Sequence, residues 1–98
     1  MNLRLTPRAL AEAKRIRKWW RRHRPWSPDL FDQELDEVLE LLLAKPDIGA
    51  EYKADNFEAS VRRVLLPKTK NHIYYVIEAK QLVILSVWGA PRGRGSKL

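Results

Sequence analysis

The chain has 98 residues, 45% hydrophobic and 32% charged, with no cysteine and a formal net charge of +7. That size suits one domain with one core, taken here as residues 1–98. A disulfide framework and a Cys-ligated metal are excluded, and no apolar run approaches the roughly 18 residues of a membrane span. That composition is compatible with a cytoplasmic protein free of membrane association, and MNLRLTPRAL, lacking an apolar leader core, reads as mature protein. The net charge hides a segregation. Residues 1–26 carry nine Lys/Arg and one acid, residues 27–58 two against ten, and residues 59–98 eight against one. Such basic ends around an acidic middle favour an anionic partner, a nucleic acid or an acidic protein.

Leu3 and Leu5 open the chain as a short edge strand. Thr6-Pro7 then predicts a helix start, because Thr caps well and Pro at the first helical position loses no hydrogen bond. Ala9, Ala13, Ile16 and Trp20 recur at spacings of four, three and four, a single helical face, with Arg and Lys filling most of the remainder. His23-Arg24-Pro25 ends that helix. Ser27-Pro28 predicts a second start, with Asp29 and Asp32 near the positive end of the helix dipole. Phe31, Leu35, Val38 and Leu42 repeat the spacing until Lys45-Pro46 and Gly49 stop it. One basic and one acidic helix joined around Pro25 and Pro28 should form an antiparallel hairpin.

Residues 50–59 read as an irregular connection. The period then changes: SVRRVLL, HIYYVIEA and QLVILSVW are β-branched and aromatic runs separated by PKTKN and a tight turn at Ala79-Lys80. They predict a meander whose apolar character on both faces requires one face on the helices and the other covered or functional. The expected fold is α+β, a helical hairpin packed on a curved, mainly antiparallel sheet, in the order β-α-α-β-β-β.

Familiar catalytic sets are missing. The carboxylates from Asp29 to Glu40 read as a solvated helix face. His23 and His72 lack metal-ligand spacing, so no metal is expected, and Gly89, Gly93 and Gly95 do not form a phosphate loop. No cofactor is called for. Two sets of cations with aromatics remain. Trp19, Trp20 and Trp26 interleave with Arg17, Lys18, Arg21, Arg22 and Arg24, which reads as a buried Trp20 on a helix with a wet basic side. Arg62, Arg63, His72, Tyr74, Trp88, Arg92 and Arg94 come from all three strands and, on one sheet face, would offer planar donors for phosphate and rings for bases. The glycines around Arg92 and Arg94 would let the backbone turn and present them as a cationic lip.

The arginine pair before VLL, the run HIYYVI and the ending VW-G-A-x-R-G-R-G resemble the C-terminal half of the RelE/ParE superfamily of bacterial type II toxins. IRKWWRRHRPWSPDLFDQEL and the closing Pro-x-x-Gly of LLLAKPDIG resemble its helical hairpin, so the likeness spans nearly the whole chain. The resemblance implies a plasmid-stabilisation type of growth inhibitor, neutralised by a cognate antitoxin and meeting operator DNA only through that complex. One branch of the superfamily poisons DNA gyrase and another cuts mRNA on the ribosome. The cutting branch uses lysines and arginines across the strands and a C-terminal tyrosine. Here Arg63 and Leu65 stand where lysines are expected, His72 falls near an expected arginine, and no tyrosine follows Tyr75. The sequence thus favours a ParE-like inhibitor of gyrase with no assigned catalytic residue. A ribosome-dependent endoribonuclease is the alternative, with Arg63, His72, Arg92 and Arg94 as its candidates and His72 as base. A third reading is a non-toxic, basic nucleic-acid-binding module.

Overall fold

A computed structural model describes residues 1–54, 60–89 and 95–98. Strand β1 (Asn2–Leu5) leads into helix α1 (Pro7–His23), helix α2 (Leu30–Ala44) and strands β2 (Ala50–Tyr52), β3 (Val61–Leu66), β4 (Asn71–Glu78) and β5 (Gln81–Gly89). The sheet order is β1-β5-β4-β3-β2. β1 runs parallel to β5, and every other pair is antiparallel. The α+β architecture with a helical hairpin on a mainly antiparallel sheet is as expected from the sequence.

Thr6 caps α1 as read: its Oγ1 accepts from the Ala9 N–H at 3.1 Å, and Pro7 is the first helical residue. The same hydroxyl donates to the Leu85 carbonyl at 3.2 Å, fixing the start of α1 on β5. Two expectations need correction. Helix α2 begins at Leu30, and its N-cap Asp29 makes no side-chain capping bond. Pro28 instead lies inside a turn in which the Leu30 N–H donates to the Ser27 carbonyl at 3.3 Å. A residue before proline avoids helical dihedrals, so Ser27-Pro28 makes a better turn than a helix start here. The stretch read as irregular also supplies a strand, with Ala50 opposite Arg63 and Tyr52 opposite Val61. Its three residues are too few for a periodic signal.

The helices cover one face of the sheet. Ala9 and Ala13 of α1 and Phe31, Leu35, Leu39 and Leu42 of α2 pack with Leu66, Ile73, Tyr75, Leu82, Ile84 and Val87. Ile84 and Val87 both reach this core although three residues apart, because the β4–β5 register shifts between Tyr74 and Tyr75. Tyr75 faces Ile84 and Tyr74 faces Ser86, so Leu85 is the extra residue of a bulge that resets the alternation. The opposite face carries a smaller core of Val61, Tyr74, Val76 and Val83, flanked by Tyr52, Ala54, Leu85, Trp88 and Leu98.

The hairpin's charges pair: Arg17 Nε meets Asp32 at 2.6 Å, and Arg21 lies 3.8 Å from Asp29 and 3.7 Å from Asp32. Glu34 departs from the solvated helix face read from the sequence. It is buried, and its carboxylate accepts from the Lys68 N–H (2.6 Å), the Thr69 N–H (2.9 Å) and the Thr69 hydroxyl (2.7 Å). The acidic helix thereby holds the β3–β4 turn.

Candidate binding face of the sheet

Opposed residues in an antiparallel ladder share a face, so the register places the candidate side chains directly. Arg63 lies opposite Tyr74, and His72 opposite both Leu65 and Trp88. Arg63, His72, Tyr74 and Trp88 therefore share the face away from the helices. Arg62 is opposite Tyr75 and points the other way. Its Nη1 donates to the carbonyls of Asp47 (3.1 Å) and Gly49 (2.7 Å), where it closes the α2–β2 connection.

On the shared face the rings form a contiguous strip. The Arg63 guanidinium stands 5.2 Å from the centre of the Tyr52 ring, Tyr52 meets Tyr74 edge-on at 4.9 Å, and Tyr74 meets His72 at 6.1 Å. Arg63, His72 and Trp88 are partly exposed, whereas Tyr74 is fully buried. Burial lowers the His72 pKa below its usual 6.5, and the positive charge of Arg63 adds to the effect. Both effects disfavour the protonated imidazolium.

Tyr74 is buried because the C-terminal residues fold back over it. The Ser96 N–H donates to the Tyr74 hydroxyl at 3.2 Å, and the Tyr52 hydroxyl donates to the Ser96 carbonyl at 3.3 Å. The Ser96 hydroxyl lies 2.8 Å from that of Ser86 and accepts from Arg8 Nη2 at 2.6 Å. Arg8 also donates to the Lys97 carbonyl. Beneath them Glu12, buried in α1, accepts from the Ser86 hydroxyl (2.8 Å) and the Val87 N–H (3.2 Å). Gly95 fits by contact: a Cβ there would overlap the Tyr52 hydroxyl and push on its ring.

Beside this face, a cleft of about 320 Å³ runs between α1 and the strand ends, walled by Ile16, Trp19, Trp20, Val87 and Trp88 with Arg15 and Lys70 among its polar lining. Among the described residues no group of three or more His, Cys, Asp or Glu is placed to hold a metal ion, and no helix is long and apolar enough to cross a membrane.

Residues 3–92 match the family described as ParE toxin of type II toxin-antitoxin system, parDE. The chain belongs to the ParE toxin family. Among solved structures, a chain of the chromosomal ParDE TA system from P. aeruginosa superposes with a TM-score of 0.61, at 15% identity, over 91% of this chain and 95% of that one. At that identity the likeness speaks of the fold alone. A comparison with curated protein sequences gives no match.

For a ParE-family chain, the seven residues singled out from the sequence divide into three groups. Arg63, His72, Tyr74 and Trp88 come together on one face, and Arg62 is directed to the other. Arg92 and Arg94 lie outside the described residues. Sequence reasoning passed over Tyr52, which stacks with Arg63, and the Glu12–Ser86–Ser96 network, which covers Tyr74. Tyr52 is hidden because the three residues of β2 carry no periodic signal. Glu12 did carry a signal, as the single acid among the first 26 residues.

Proposed function

We propose that this ParE-family chain is the toxin of a toxin–antitoxin pair, a growth inhibitor that acts in the cytoplasm by binding DNA gyrase and is neutralised by its cognate antitoxin. Operator DNA is met only through the antitoxin complex. The observation that carries the choice of target is the make-up of the sheet face. Cutting RNA demands several donors converging where phosphorane charge develops. Among the described residues the cluster around His72 offers Arg63 as its strand cation; Arg4 shares the face but sits on β1 opposite Val83, away from that cluster, while Arg62 is engaged with backbone carbonyls on the other side and Tyr74 is buried. A binding inhibitor needs only a complementary surface, to which Arg63, His72 and Trp88 contribute; Arg92 and Arg94 would add cations under either reading and do not enter the choice.

The test is pulse incorporation of labelled thymidine and methionine in bacteria just after the chain is induced alone, paired with a gyrase supercoiling assay on purified protein. An early fall in thymidine incorporation while methionine incorporation continues, with supercoiling inhibited, is the expected result. An immediate fall in protein synthesis with supercoiling untouched would turn the reading to the ribosome-dependent endoribonuclease. The placement of His72 on the same sheet face as Arg63 is the observation favouring that second reading. There His72 takes the proton of a ribose 2′-hydroxyl, and RNA cleavage that survives His72→Ala would remove it.

A further inference from the structure

The basic helix α1 does more than cover the sheet. Its apolar side is buried through Ala9 and Ala13, and three of its cations are engaged within the chain: Arg8 with Ser96 and Glu12, Arg17 with Asp32, and Arg21 with Asp29 and Asp32. Lys14, Lys18 and Arg22 are exposed and have no carboxylate partner among the described residues. Spaced four apart, they form one ridge along the helix, with about 6 Å between successive residues.

Next to this ridge, at the tip of the hairpin, stands an aromatic stack. Trp19 lies against His23 with ring centres 4.7 Å apart and planes at 17°. Arg24 is 5.2 Å from the Trp19 ring centre and 5.7 Å from that of Trp26. Trp26 is 74% exposed, the most open of the large apolar side chains among the described residues. Its indole is thus braced by a guanidinium and still presents surface to solvent.

We propose that this outer face of α1 binds single-stranded nucleic acid, with Lys14, Lys18 and Arg22 on successive phosphates and Trp26 stacking on an unpaired base. A cation ladder beside an exposed ring is the combination that tracks a single strand without regard to sequence. An anionic membrane fits less well, because the helix's apolar side is already occupied by the protein's own core and leaves no broad face to insert. An acidic peptide would meet the charges, but it does not pair each anionic group with a flat base as a nucleotide does, so Trp26 has no regular stacking partner. The inference is independent of the target proposed above.

The test is fluorescence anisotropy of a fluorescein-labelled oligothymidine titrated with the purified full chain at several salt concentrations. Three phosphate contacts predict a slope of log Kobs against log[salt] of about −2. The variant Lys14→Gln/Lys18→Gln/Arg22→Gln should flatten that slope by about 2, all three sites being exposed and free of structural bonds. Trp26→Ala should weaken binding roughly 5- to 150-fold at an unchanged slope, and a duplex of the same length should bind less well. No binding at low salt would overturn the proposal. So would binding that survives both variants, or equal affinity for poly-glutamate that Trp26→Ala leaves intact. Capture by phosphatidylserine vesicles without oligonucleotide binding would assign the face to a membrane instead.

Discussion

Removing one oxygen atom from Tyr75 should loosen the route from helix α2 to the candidate face. The Tyr75 hydroxyl donates to the Pro46 carbonyl at 2.8 Å and accepts from the buried Gly49 N–H at 2.9 Å. The surroundings leave no space to compensate: a Cβ on Gly49 would lie 2.5 Å from that oxygen and 2.8 Å from the ring's Cε1. Tyr75→Phe leaves the N–H and the carbonyl facing a ring edge, and stranding a buried donor costs roughly 1–3 kcal/mol. A loss of about 2 kcal/mol corresponds to a fall in Tm of roughly 8–16 °C for a domain of this size. Urea denaturation followed by tryptophan fluorescence should show a lower midpoint at an unchanged slope. Gly49→Ala should destabilise for the complementary reason, pushing on the same ring. Because both changes act at one contact, the double variant should lose less than the sum of the singles. A Tyr75→Phe cost under about 0.5 kcal/mol would refute the reasoning, since it would place the hydroxyl among solvated groups, where such bonds add little.

Glu34→Gln should cost about 2–3 kcal/mol, because the new amide turns a donor toward the Lys68 or Thr69 N–H; chemical denaturation measures it. Ala79→Gly should stabilise by about 0.5–1 kcal/mol, since Ala79 sits at φ 50° in the β4–β5 turn, where an L side chain is strained; a thermal melt would show the rise. The lowered pKa of His72 makes stability fall as pH drops below 6.5 toward the folded value, because the unfolded chain takes up the proton first. Urea midpoints at pH 8 and pH 5.5 should therefore differ less in His72→Gln than in the unaltered chain, and equal differences would contradict the assignment.

Where a periodic run of residues determines an element, the sequence was legible. The four-three-four spacing of Ala9, Ala13, Ile16 and Trp20 places α1, and Thr6-Pro7 gives its start. The strands β3, β4 and β5 and their meander are written in their β-branched and aromatic content. Boundaries set by a competition were less legible: Ser27-Pro28 can begin a helix or a turn, and the bond from Leu30 to Ser27 selects the turn. Adjacent Arg62 and Arg63 look alike in the sequence but belong to opposite faces of a strand, so only one can join a given site. The bulge at Leu85 was not legible at all, since VILSVW is apolar throughout and carries no mark of where the alternation resets.

The carboxylates buried among the described residues bear on why the candidate face suits binding. Glu34 reaches from α2 to the turn preceding Asn71, and Glu12 from α1 to Ser86 and Val87. Asn71 pairs with Gly89 and His72 with Trp88, so both helices clamp the same end of the sheet, the end that carries His72 and Trp88. Each carboxylate is acceptor-only and is met by backbone and hydroxyl donors, which makes its desolvation tolerable and its geometry specific. The strip from Tyr52 to His72 is additionally pinned by Ser96 through the hydroxyls of Tyr52 and Tyr74. A surface ordered in this way loses little side-chain freedom when a partner settles on it, and less of the contact energy is consumed by ordering. Such preorganisation suits a face on which a partner settles.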